Sequence, residues 1–282
     1  MLLGLFAGAA TQAQSAAGRT AGEASVTATG TARYVIPLSL PPGPALKPGI
    51  NVDAYLAGQR MAGLVIVHDG KVRLERYGLG FNSAGRWTSF SVAKSITSVL
   101  VGAAIRDGHI RSMDDKVSDY IPQMKGSAYD DVSIRQLLTM TSGVRWSEDY
   151  STGETNLVGI LVSQATKRPL AEYLSEKIWK PAGMEQQATW VLSKTGQEIS
   201  GCCIQAATRD FARFGVFILN GARAGAQAIV PDGWLVDATT ERVGIGQTGR
   251  GYGYQWWTYG DSSFTARGIF GQGIFIDPQR RL

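Results

Sequence analysis

The chain has 282 residues, a formal net charge of +5, 44% hydrophobic residues and 18% charged residues. That is long enough for one large domain or two modest ones with a self-sufficient core, and it excludes a disordered tail, a coiled coil and a collagen. No apolar run past the extreme N-terminus approaches the roughly 18 residues of a membrane span, and the basic residues are scattered, with no stripe that suits nucleic acid. The 35 glycines, about 12% against a usual ~7%, predict a turn-rich fold with short connections.

Residues 1–18, MLLGLFAGAATQAQSAAG, carry no charged side chain. The apolar stretch Leu2–Ala10, followed by small residues with an A-x-A-like site near Ala13, predicts a signal peptide lacking its basic region, and with it a periplasmic or secreted location. Residues 19–49, rich in Gly, Ala, Thr and Pro, predict a linker or extended arm. From position 50 the texture becomes that of a domain. A short helix is expected over Val52–Arg60. GLVIVHDGKVRLERYG then places two apolar runs around Asp69–Gly70, a hairpin signal. Ser91–Ile105 is apolar on nearly all sides except for Lys94, which predicts a core helix stopping at Gly108. MDDKVSDYIPQM reads as loop, and a short helix begins near Ser133. Helices follow over Asn156–Gln164, Leu170–Trp179 and Thr208–Leu219. GYGYQWWTYG, SFTARGIFG and GIFID read as strands. The sheet is thus expected to assemble from both ends, residues 50–90 and 205–282, around a mainly helical part at 91–204.

Metal and thiol chemistry find little support. His68 and His109 are the only histidines, and no H-E-x-x-H or paired C-x-x-C motif exists. Cys202 and Cys203 are adjacent, a spacing that needs a strained backbone to bridge, so they read as small buried side chains. No cofactor is implied.

The informative unit is Ser91-Val92-Ala93-Lys94. Positions i and i+3 share a helix face, so hydroxyl and amine can meet. A serine hydroxyl needs a neighbouring base to become a nucleophile. A lysine serves as that base when burial and the positive helix end lower its pKa. The same helix start turns the Ser91 N–H outward as half of an oxyanion hole. A chain of this length yields on the order of one S-x-x-K by chance. This one is the only one here, it opens the most apolar helix, and it carries that helix's lone lysine. The competing reading is that Lys94 snorkels to the surface. No G-x-S-x-G elbow exists. A Ser-His-Asp triad would need one of two poorly placed histidines, His68 being beside a turn, and the Asp114–Asp115 pair lies in a solvated loop pattern.

SFSVAKSITSVLVGAAIRDGHI, DDKVSDYIPQMKGSAYDDVSIRQLLTMTSGV, TGETNLVGILVSQATKRPLAEYLSEKIWKPAGME, RDFARFGVFILNG and GYGYQWWTYG with ARGIFGQG, in that order, resemble the serine beta-lactamase-like superfamily. The flavour is that of the class C-like esterase and 6-aminohexanoate-oligomer hydrolase branch, over residues 50–282. The resemblance implies an α/β (α+β) fold, an antiparallel sheet flanked by helices with a mainly helical subdomain. It also implies an acyl-enzyme mechanism in which Ser91 is the nucleophile and Lys94 the base. The second motif of the family is Y-x-N-like. Its counterpart is Tyr150, the proton relay, with Thr152 where an Asn is usual. TSGVRWSEDY runs straight into STGETN, which looks like an internal deletion that merges two tyrosine contexts.

The third motif is usually K-T-G or H-x-G on a strand. Lys194-Thr195-Gly196 lies in a polar turn and Ser118-Asp119-Tyr120 in a loop, and both read as decoys. Ala266-Arg267-Gly268 is the better match, with Ile269 supplying the second oxyanion N–H. The missing K-T-G lysine and threonine argue for a linear amide or ester as the small-molecule substrate. Tyr252, Tyr254, Trp256 and Trp257 are candidates for the acyl pocket, with alternation sending only half of them there. The family template continues past Asp277-Pro278 with a strand and a helix, so the strand at Gly273–Asp277 is expected to lack a neighbour. Two functional readings follow: a serine amide or ester hydrolase, or a non-catalytic relative that binds peptidoglycan fragments or nothing. No feature fixes an oligomeric state.

Overall fold

The computed structural model describes residues 19–20, 23–26, 51–145 and 152–282. Tyr150 lies outside the described residues. Strands β1 (Arg19–Thr20) and β2 (Glu23–Val26) open the chain, within the segment expected to be an arm. Helix α1 (Val52–Gly58) starts at Asn51, whose side chain accepts from Ala54 N at 2.9 Å. The hairpin β3 (Gly63–His68) and β4 (Lys71–Tyr77) turns at Asp69 and Gly70, with φ of 51° and 69°. A two-residue type I′ turn asks for that left-handed pair, which Asp-Gly supplies at low cost.

After β5 (Arg86–Thr88) comes α2 (Val92–Arg106), in which every residue from Val92 to Ala104 is buried. Ser118, Asp119 and Tyr120 fall in a helical turn, α3 (Val117–Tyr120), and not in the expected loop; Ser118 Oγ is tied to Asp130 O at 2.9 Å. Helix α4 (Ile134–Thr139) begins with a capping box between Ser133 and Gln136. Helix α5 (Thr152–Thr166) starts four residues before the predicted boundary, and α6 (Leu170–Leu174) runs on into a wider turn at Ser175–Trp179.

Then follow β6 (Ala188–Val191), β7 (Ile204–Ala207) and α7 (Thr208–Leu219), the last with its predicted bounds. Strands β8 (Arg223–Ala224) and β9 (Gln227–Ala228) form a small ribbon before α8 (Trp234–Thr239). The chain closes with β10 (Val243–Gly244), β11 (Arg250–Tyr252), β12 (Trp257–Tyr259), β13 (Phe264–Arg267) and β14 (Gly273–Ile276).

All strand pairings among the described residues are antiparallel. One sheet has the order β1-β2-β6-β7-β5, and a second is the meander β10 to β14. The two stretches of chain meet in the first sheet, where β5 pairs with β7 from Arg86–Ala207 to Thr88–Gln205, while the β3–β4 hairpin stands as a sheet of its own, apart from the C-terminal meander. Between them lies an apolar groove of about 510 Å³ lined by residues of β3 and β14 and by Phe211, Ala212 and Val216 of α7. The hairpin is held to α7 instead, by a two-pronged pair in which Arg209 Nε and Nη2 reach Glu75 at 2.8 and 2.7 Å. That guanidinium keeps the Glu75 carboxyl below its ordinary pKa.

Of the four aromatic residues expected to divide between pocket and core, Trp256 and Tyr254 are core residues: Trp256 stacks on Phe214 and meets Phe264 edge-on, and both side chains are almost fully buried. One further expectation is corrected. Cys202 and Cys203 are neither fully buried nor separate. A left-handed turn at Cys203, φ 75°, brings their sulfurs together as a disulfide.

Helix α5 crosses the loop before Cys202 at Gly159, where an added Cβ would meet Ser200 Oγ and lie 2.9 Å from Leu170 Cδ1. Gly159→Ala is therefore expected to destabilise the fold by about 1–3 kcal/mol despite the better helix propensity of alanine. Denaturant unfolding of both proteins checks this; equal or greater stability in the variant would show that the crossing has slack.

Candidate active site

The site begins with a sharp turn. Between β5 and α2, Ser89 N donates to Ile204 O at 2.8 Å and Ser89 Oγ accepts from Ile204 N at 3.0 Å, which pins the chain to β7. Phe90 then adopts φ 44°, a left-handed conformation that a bulky residue enters only under constraint. Ser91 follows at the N-cap of α2, but its side chain makes no capping bond. Its hydroxyl instead accepts from Lys94 Nζ at 3.1 Å.

Lys94 does not snorkel: it is 1% exposed. Its amine also donates to Thr152 Oγ1 at 3.1 Å and to the Gly201 carbonyl at 2.8 Å. Burial disfavours the charged form and pulls its pKa down to about 8. Gly201 is required where it stands, since a Cβ there would lie 2.7 Å from Thr152 Cγ2 and 3.3 Å from Lys94 Nζ.

Ile269 follows β13 in the turn leading to β14. Gly268 N donates to Gln272 O at 2.8 Å and Phe270 N to Gln272 Oε1 at 3.2 Å. The turn lies against the residues before the nucleophile: a Cβ on Gly268 would fall 2.9 Å from Ser89 O, and the Phe90 and Phe270 rings meet edge-on at 4.8 Å. Among the described residues, neither Ser91 N–H nor Ile269 N–H has a hydrogen-bond acceptor within the protein. Arg267 lies over the Trp257 ring at 5.9 Å.

The structure thus joins Ser91 and Lys94 and brings the turn holding Ile269 beside Ser89 and Phe90. Tyr150 lies outside the described residues. Two partners of Lys94 were not anticipated. Thr152 stood out in the sequence only as a departure from Y-x-N, at the position that now contacts the amine. The Gly201 carbonyl carries no sequence signature beyond being a glycine. The rejected candidates are elsewhere: Lys194 is exposed in a turn closed by Ser193 and Thr195 at 2.9 Å, and His109 is exposed. Asp114 pairs with Arg135, and Asp115 with Arg111 and Tyr120, so they form no carboxylate dyad. No helix among the described residues is long and apolar enough to cross a membrane.

A family model described as beta-lactamase matches residues 51–282. The chain belongs to the beta-lactamase family. It is 25% identical, over 76% of its own length and 69% of the relative's, to a 6-aminohexanoate-dimer hydrolase of Paenarthrobacter ureafaciens. Among solved structures it resembles a Bacillus anthracis protein with the provisional name 6-aminohexanoate-dimer hydrolase. That match has a TM-score of 0.74 and 23% identity, over 82% of this chain and 74% of the other. It also resembles a family VIII carboxylesterase, with a TM-score of 0.65 and 16% identity over 81% and 87% of the two chains. The solved structures show the beta-lactamase-like fold, and the family match together with the hydrolase relative supports a serine hydrolase-type function.

Lowering the pKa of Lys94 has a stability consequence whose sign is fixed. Between about 8, the folded value, and about 10.4, the ordinary one, the unfolded chain binds more protons, so stability rises with pH in that window. Relative to Lys94→Met, the wild-type protein should gain up to about 1.4 kcal/mol per pH unit there. Denaturant melts of both proteins from pH 7 to 10 check this, and a pH-independent difference would contradict it.

Proposed function

We propose that this protein hydrolyses linear amide or ester bonds through an acyl-serine intermediate. The observation that carries the reading is the 3.1 Å contact between Ser91 Oγ and the buried, low-pKa amine of Lys94. Ser91 Oγ adds to the substrate carbonyl carbon while Lys94 takes its proton. The carbonyl oxygen becomes negative and receives the N–H groups of Ser91 and Ile269. Collapse expels the amine or alcohol, which leaves with the proton passed through Tyr150. Water then adds to the acyl carbon, yields a proton to Lys94, and releases the acid with Ser91 restored.

The substrate class rests on the third motif. Ala266-Arg267-Gly268 lacks the lysine and threonine that would clamp a carboxylate beside a strained lactam, and Arg267 is engaged over Trp257. The names of the two 6-aminohexanoate-dimer hydrolases and of the carboxylesterase are in keeping with linear amides and esters.

A p-nitrophenyl short-chain ester tests the proposal. The wild-type protein should turn it over, with kcat/KM rising about tenfold per pH unit below 8 and levelling above it, because only neutral Lys94 accepts the proton. Ser91→Ala and Lys94→Ala should each lower turnover by at least about 10³-fold. Turnover that survives in Ser91→Ala, or none in the folded wild-type protein, would favour the non-catalytic reading.

A further inference from the structure

Gln255 lies in the loop between β11 and β12, 2% exposed and in a left-handed conformation with φ 64°. It touches neither Ser91 nor Lys94, yet its polar groups reach three helices around them. Its backbone N–H and its side-chain Nε2 both donate to Leu138 O, at 3.1 and 2.9 Å, and Nε2 also approaches Leu137 O at 3.3 Å. These carbonyls belong to the last turn of α4, where helix geometry leaves acceptors without intrahelical partners. On the other side, Gln255 Oε1 accepts from Thr155 Oγ1 at 2.8 Å, and Gln255 O accepts from Ser95 Oγ at 2.6 Å.

The chain positions of these partners give the contacts their meaning. Ser95 follows Lys94 directly on α2. Thr155 is one turn beyond Thr152 on α5, at the i+3 spacing that shares a face. Thr152 and Lys94 are the two residues whose side chains meet at 3.1 Å. The two helices that supply that pair are therefore indexed on the same buried residue, which also closes the end of α4. A neutral amide suits this hub: it offers an acceptor to Thr155 and donors to the α4 carbonyls at once. For a residue as buried as Gln255, each such bond is costly to leave unmade.

We propose that Gln255 is a positioning residue for the reaction above, holding Thr152 Oγ1 against the Lys94 amine by fixing the first turn of α5 relative to α2. The proposal rests on the functional reading in its catalytic consequence and on geometry alone in its structural one, and the experiment has an arm for each.

Gln255→Met keeps the length of the side chain and removes the amide. With the p-nitrophenyl ester at pH 9, kcat should fall about 10- to 100-fold while KM changes by less than about threefold, because a small misplacement of the base costs rate rather than binding. In the Thr152→Ala background the same change should cost almost nothing more, since the contact it serves is already gone. Hydrogen exchange of the amides at 152–158 should quicken, with the β3–β4 hairpin unchanged. Thr155→Val, which removes one of the bonds at nearly constant shape, should show the same pattern more weakly and replaces Gln255→Met should that variant not fold. Equal kcat in wild type and variant, full additivity with Thr152→Ala, or unchanged exchange at 152–158 would each overturn the proposal. If the wild-type protein lacks Ser91-dependent turnover, the functional reading fails by itself, and the exchange measurement still decides whether Gln255 fixes α5.

Discussion

An amine confined in a helix that is buried on every side is the constraint around which the rest of this site is arranged. The charged form of Lys94 is expensive at 1% exposure, and even its neutral form needs acceptors. Three of the oxygens around it come from separate stretches of chain: the Ser91 hydroxyl on the same helix, the Thr152 hydroxyl and the Gly201 carbonyl, and in the neutral form the amine can donate to two of them while its lone pair receives the Ser91 O–H. None of these oxygens is a carboxylate, so the bonds hold the amine in place without restoring the ordinary pKa that a negative partner would give.

Geometry upstream of Ser91 serves the same end. The left-handed Phe90 aims the serine at the start of α2, and the two bonds between Ser89 and Ile204 fix the turn to β7. Because the Ser91 side chain does not cap the helix, its oxygen is available to the amine. The turn at Gly268–Gln272 closes over Ser89 and Phe90, made possible by the missing Cβ at Gly268. Nucleophile, base and the turn carrying Ile269 thus depend on close backbone approaches at two glycines, Gly201 and Gly268, 67 positions apart in the chain. Ser89 and Phe270 also line the apolar groove between β3 and β14, together with α7 side chains.

What was legible in the sequence is what local chemistry determines. The Asp69–Gly70 hairpin, the span of α7 and the Ser91–Lys94 pairing each follow from neighbours within a few residues, through turn preference, helix period or i,i+3 spacing. What was not legible depends on distant contacts. Lys94 and Gly201 are 107 residues apart, and nothing at either position announces the other. The separation of the β3–β4 hairpin from the C-terminal meander is set by how both pack on α7, which a pattern of strands does not encode. Adjacency of Cys202 and Cys203 argues against a bridge in an ordinary backbone, whereas the left-handed turn at Cys203 provides the conformation that adjacency requires. Trp256 and Tyr254 looked equally suited to pocket and core, and only the ring contacts with Phe214 and Trp234 assign them to the core.

The central claim is that the protein keeps Lys94 poised to lose its proton near neutral pH. Direct titration of the Lys94 side chain by NMR, in folded protein with isotope-labelled lysine and with Lys94→Met to assign the signal, tests it without reference to any substrate. The account predicts a midpoint near about 8. A midpoint at the ordinary lysine value of about 10.4 would contradict it, because the amine would then remain charged where the proposed chemistry needs it neutral.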